Sequence, residues 1–140
     1  MKKTIGLYLV GLALALFTQA ASPGISAGEE VRVMKIHPEI VSDTIERVCI
    51  QFSRFYRPEL IGLEGDRPRV FIDIKDISRW AGPTCIAVGG RMILQVRSHM
   101  NPKTRTLRIV LDLETSKDYV IDQTYYTAGD IFCIYLKIDR

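Results

Sequence analysis

The stretch RIVLDL, residues 108–113, decides the fold. Ile109, Leu111 and Leu113 alternate with Arg108, Val110 and Asp112, which is the period of a strand with one buried face. Sixty-one residues earlier RVCIQF, 47–52, repeats the pattern, with Gln51 where the later copy has Asp112. There Val48, Ile50 and Phe52 oppose Arg47, Cys49 and Gln51. RVFIDIKD (69–76) and IFCIYLKID (131–139) alternate in the same way, and turn signals such as GDRP (65–68), Gly89-Gly90 and MNPKT (100–104) separate these runs. Long segments of helical period are absent, and the one short helical turn expected lies near Asp76–Trp80. The pattern predicts an all-β chain of seven to nine short strands in two packed sheets.

The repetition extends beyond one strand. Lys35-Ile36-His37 matches Arg97-Ser98-His99 at an offset of 62, and Val70-Phe71-Ile72 matches Phe132-Cys133-Ile134 at 62. Three offsets that agree within one residue point to an internal duplication. A half with one apolar face cannot bury it alone, so two similar sheets of about four strands each are expected to pack face to face. The Arg-bearing face of each repeated strand then points outward.

The first residues are read apart from the fold. Lys2 and Lys3 precede an apolar run, IGLYLVGLALALF, and then Thr18-Gln19-Ala20, the three-part layout of a secretory signal over 1–20. An uncleaved anchor is the alternative. ASPGISAGEE (21–30) reads as a flexible leader and 31–140 as one domain. Without the signal lysines, 17 basic residues face 16 acidic ones. That near-balance argues against nucleic acid as a partner. Cys49, Cys85 and Cys133 in an exported chain permit one disulfide with a thiol left over, in any of three pairings. Three partly buried thiols are the plainer alternative, and the spacings fit no metal motif.

The ordered set GDRPRVFIDIKD … MILQVRSHMNPKTRTLRIVLDLETSKDY resembles the AMIN domain, a non-catalytic module found ahead of bacterial N-acetylmuramoyl-L-alanine amidases and in pilus secretins. Ile72-Asp73-Ile74, Val96-Arg97 and Arg108–Leu113 carry the likeness, which covers about residues 31–139. Departures are Gln51 in the first copy and Ser98-His99 after Arg97. The resemblance implies a β-fold of two similar four-stranded sheets, a periplasmic location and peptidoglycan as the partner. It implies no catalysis, and it leaves a separate amidase, secretin or other envelope protein as a further partner.

The candidate peptidoglycan-binding residues are Arg108 and Asp112 first, then Arg47 and Gln51, with Arg97 and Tyr56 in support. An Arg fork holds a carboxylate through two parallel bonds, better than Lys does. Asp112 accepts from amide or hydroxyl donors, or fixes the rotamer of a neighbouring Arg. Arg and Asp that only solvate a strand and pair across the sheet are the plainer alternative. Phe55-Tyr56, Trp80 and Tyr125-Tyr126 are candidate sugar-stacking rings, with Arg54 and Arg57 beside Tyr56. Adjacent Ser98 and His99 point to opposite faces and make no triad with Asp112. His37 and His99, expected at equivalent turns, lack a third ligand for a metal. No enzyme activity, metal or cofactor is expected. The second class of function is an accessory subunit docking by an exposed strand edge, for which a bare edge at Ile131–Ile138 is the expected sign.

Overall fold

A computed structural model describes residues 30–116 and 118–138. The signal peptide and nearly all of the leader read from the sequence lie outside the described residues.

Nine strands form two antiparallel sheets, and no helix occurs among the described residues. They are β1 (Val33–Ser42), β2 (Ile45–Phe52), β3 (Glu59–Leu63), β4 (Arg69–Ile74), β5 (Cys85–Ala87), β6 (Ile93–Asn101), β7 (Thr106–Leu113), β8 (Tyr119–Tyr126) and β9 (Ile131–Ile138). The four-stranded sheet runs β1-β2-β9-β8 and the five-stranded sheet β3-β4-β7-β6-β5. The buried faces are those the alternation gives. Val48, Ile50 and Phe52 from β2 and Phe132, Ile134 and Leu136 from β9 meet Val70, Ile72, Ile74, Leu107, Ile109, Leu111 and Leu113 in one core.

The duplication is built in an interlocked way. The first half puts hairpin β1–β2 in the four-stranded sheet and β3–β4 in the other; the second half puts β6–β7 in the five-stranded sheet and β8–β9 in the first. Each sheet is therefore a composite of both halves, not one half apiece stacked on the other. The central pairs correspond under the duplication: Arg47 opposite Tyr135 answers Arg108 opposite Asp73, and Cys49 opposite Cys133 answers Val110 opposite Phe71. Separating the halves would break both central pairings and the core together, so the chain should unfold as one unit.

Two local expectations are corrected. Residues 76–80 form no helical turn: Asp76 has a φ of 60°, and the Ile77 N–H donates to the Arg105 carbonyl at 2.9 Å, drawing buried Ile77 back to the core. His37, expected at a turn, instead lies inside β1, which continues through Pro38 to Ser42. Pro38 is tolerated because β1 is an edge strand. ELIGL, bracketed by Pro58 and broken by Gly62, gives no clear alternation and yet forms edge strand β3.

One buried acid ties the two sheets. Glu46 lies on the apolar face of β2, 1% exposed, and crosses to the β5–β6 connection. Its carboxylate accepts from the Arg91, Met92 and Ile93 N–H groups at 2.5, 3.1 and 2.7 Å. Gly90 is required there, since a Cβ would stand 2.3 Å from Glu46 Oε2.

Candidate functional site

The outward face of the five-stranded sheet is a ladder of ion pairs across neighbouring strands. Arg108 on β7 donates from Nε and Nη2 to the two oxygens of Asp73 on β4, both at 2.7 Å. Arg97 on β6 makes the same fork to Asp112 on β7, at 2.6 and 2.8 Å. Gln95 Nε2 adds a bond to Asp112 at 2.8 Å. Phe71 lies between two guanidiniums, with Arg108 4.8 Å and Arg69 5.5 Å from its ring centre. Arg69 Nε is buried and has no hydrogen-bond partner.

These pairs set the protonation of the face. Asp73 is held below the usual carboxylate range, chiefly by the Arg108 bonds against a burial penalty. Asp112 is lowered first by Arg97 and then by Gln95, again against burial. Both acids are charged near neutrality and keep their forks closed. Each fork uses Nε and Nη2, so Nη1 of Arg108 and of Arg97 is left for an outside acceptor.

The four-stranded sheet carries the corresponding face. Arg47 donates from Nε to Glu39 at 2.7 Å and from Nη1 to the Tyr135 hydroxyl at 3.2 Å. Tyr135 in turn shares a 2.6 Å bond with Tyr126. Where the other sheet has Phe71 and Val110, this one has a disulfide, Cys49–Cys133, joining residues directly opposite in the register. The three-thiol alternative is thereby corrected, and Cys85 remains as an exposed free thiol. A hollow of about 290 Å³ lies over the disulfide, lined by Lys35, His37, Arg47, Cys49, Gln51, Tyr126, Ile131 and Cys133.

The sequence candidates thus fall on two separate faces. Arg108, Asp112 and Arg97 share the five-stranded sheet, and Arg47 and Gln51 share the other. Arg108 and Asp112 are not partners: each binds a residue on a neighbouring strand, and the roles of Asp73, Gln95 and Phe71 come only from the sheet order. Tyr56 joins neither face. Its ring packs on Phe52 with centres 5.3 Å apart, its hydroxyl accepts from the Lys75 N–H at 2.7 Å, and its own N–H donates to the Tyr125 hydroxyl. Trp80 is likewise tied in, donating to Ser98 Oγ at 2.9 Å.

The histidines are not at equivalent turns. His37 and His99 both lie within strands, in different sheets. His37 stands opposite Cys49, as Arg97 stands opposite Val110, so the positional counterpart of His37 is Arg97. The offset between β1 and β6 is therefore 60, not the 62 suggested by Lys35-Ile36-His37. No cluster of three His, Cys, Asp or Glu among the described residues is placed to hold a metal.

Ile131–Ile138 is no bare edge, because β9 is hydrogen-bonded on both sides. The exposed aliphatic residues on edge strands include Ile40 and Val41 on β1, Ile61 and Leu63 on β3, and Val120 and Ile121 on β8. The chain matches no protein-family model and no curated protein.

Proposed function

We propose that this is a non-catalytic envelope domain that binds peptidoglycan through the outward faces of its two sheets, in the manner implied by the AMIN-like order of its motifs. The observation that carries the reading is the pair of register-equivalent arginines, Arg47 and Arg108, on the outward faces of both central strand pairs, each held by an acid of its own sheet. A side chain already fixed loses little further entropy when a ligand arrives. Peptidoglycan offers amide carbonyls, hydroxyls and free carboxylates, which suit fixed guanidinium donors beside carboxylate acceptors. The Cys49–Cys133 disulfide supports an oxidising compartment, in keeping with a periplasmic location.

A second reading is an accessory subunit that docks onto an envelope protein by strand addition. Exposed Ile61 and Leu63 on β3 and Val120 and Ile121 on β8 favour it, since both strands are edges with unpaired backbone groups.

The two readings separate in a titration of ¹⁵N-labelled protein with soluble muropeptides. Face binding moves the signals of β4, β7, β6, β2 and β9 side chains, the Arg Nε–H groups of Arg97 and Arg108 among them. Shifts confined to β3 and β8, or none, would remove the peptidoglycan reading in favour of the docking one.

A further inference from the structure

The duplication lets one half serve as an internal reference for the other, and the two outward faces differ at one place in a telling way. On the five-stranded sheet the Asp112 carboxylate sits among donors from the adjacent strand, Gln95 and Arg97. The register gives each a counterpart on the four-stranded sheet. Asp112, opposite Gln95, answers to Gln51, opposite Lys35; Arg97, opposite Val110, answers to His37, opposite Cys49. Both donor positions are again filled by donors, Lys35 and His37. The acceptor position alone has changed, from a carboxylate to the neutral Gln51.

The consequence is a set of donors without the acid they are arranged around. Lys35 and His37 make no side-chain hydrogen bond or ion pair among the described residues. The other acids of this face are already committed, Glu39 to Arg47 and Asp122 to Lys137. The hollow above the disulfide is lined by these same residues and has room, about 290 Å³, for a carboxylate and the few atoms that bear it.

We infer that this hollow is a carboxylate-binding subsite, in which Lys35, His37 and Gln51 receive from a ligand the carboxylate that Asp112 supplies to the other sheet. Lys35 provides the charge. The His37 ring donates an N–H in either protonation state, and the Gln51 amide donates where Asp112 would repel a second anion. Only the origin of the carboxylate rests on the peptidoglycan reading. It comes from the free end of a peptide or from a lactyl group borne by a sugar.

The test is an NMR titration of the ¹⁵N-labelled protein with acetyl-D-alanyl-D-alanine and, separately, with N-acetylmuramic acid, each beside its methyl ester. Saturable shifts are expected at residues 35–37, 49–51 and 131–133 with a free acid and not with its ester. Whichever acid binds identifies the source. Q51D, which rebuilds the internal acid on an exposed position, should bind about tenfold more weakly, as should K35A. An unchanged thermal midpoint confirms that both remain folded. Equal binding by Q51D, equal binding of the esters, or no saturable shift up to about 50 mM, where even a millimolar site is filled, would overturn the inference. Sedimentation with sacculi keeps it apart from the function proposed above. Wild type that sediments while no free acid binds removes this subsite and leaves the peptidoglycan reading standing. Free acids that bind wild type but not Q51D, without any sedimentation, support the subsite and remove peptidoglycan as the source.

Discussion

Removing the Glu46 carboxylate should cost this fold more than any outward charge does. Three consecutive N–H groups, from Arg91 to Ile93, donate to one buried acid that reaches across from the other sheet. Glu46→Ala strands all three donors, each worth about 1–3 kcal/mol when left unpaired in the interior. Water that enters the vacated space recovers part of this, so the expected loss is about 4 kcal/mol, within the range for breaking a buried charged partnership. Glu46→Gln keeps the shape and one acceptor and should lose about 2 kcal/mol. Gly90→Ala probes the same contact from the other side, because its Cβ would stand 2.3 Å from Glu46 Oε2. Overpacking of that kind costs about 1–3 kcal/mol. In Glu46→Ala the obstruction is gone, so the two substitutions together should cost at least about 1 kcal/mol less than their sum. Urea unfolding followed by the fluorescence of Trp80, the single tryptophan, reads all four variants. With a slope of about 1–3 kcal/mol per molar urea, Glu46→Ala should lower the midpoint by roughly 2 M. A loss under about 0.5 kcal/mol, the scale of an ordinary surface change, or strict additivity with Gly90→Ala, would refute the reasoning.

Other outcomes follow from the outward faces and the cysteines. Reducing the Cys49–Cys133 disulfide, which spans a sequence separation of 84, should cost about 3 kcal/mol, below the full chain-entropy value of about 4.6; urea midpoints with and without reductant check this. Asp73 and Asp112 have folded-state affinities for protons lowered by their Arg partners. Their contribution is therefore fully present above the unfolded carboxylate range, near pH 4, and is lost as pH falls through the lower folded values. Urea midpoints should hold level from about pH 7 to 5 and fall below about pH 4, less steeply in Asp73→Asn. A maleimide should label the native oxidised protein at Cys85 alone and label all three cysteines only after reduction and unfolding. Quantifying the modified peptides by mass spectrometry decides it.

Strand faces were legible because an alternating strand buries one side whichever partner it finds. Arg108 opposite Ile109 has only one way to stand once Ile109 enters the core. The ion-pair partners were not legible, since a pairing depends on which strands become neighbours. Asp112 shares a face and a strand with Arg108, but four residues of strand separate them by roughly 13 Å. Arg108 instead meets Asp73, 35 residues away, because the interlocked halves put β4 beside β7. The β1–β6 correspondence misled for a related reason. Lys35-Ile36-His37 and Arg97-Ser98-His99 are alike in composition, yet cross-strand pairing sets His37 opposite Cys49 and Arg97 opposite Val110, which moves the true match by two residues. Glu46 had a readable signal: an acid on the apolar side of β2, in a chain that also carries Gly89-Gly90. The donating N–H groups lie 45–47 residues away, so the signal marked a buried acid without naming its partner.

Binding to the cell wall is the central claim, and co-sedimentation of the purified protein with isolated peptidoglycan sacculi, at low and moderate salt, tests it most directly. Wild type should pellet with the sacculi, and Arg108→Ala and Arg47→Ala, each still folded, should pellet less, the loss deepening when both are combined. Wild-type protein that stays in the supernatant at both salts, or pellets as fully without either arginine as with them, would contradict the account.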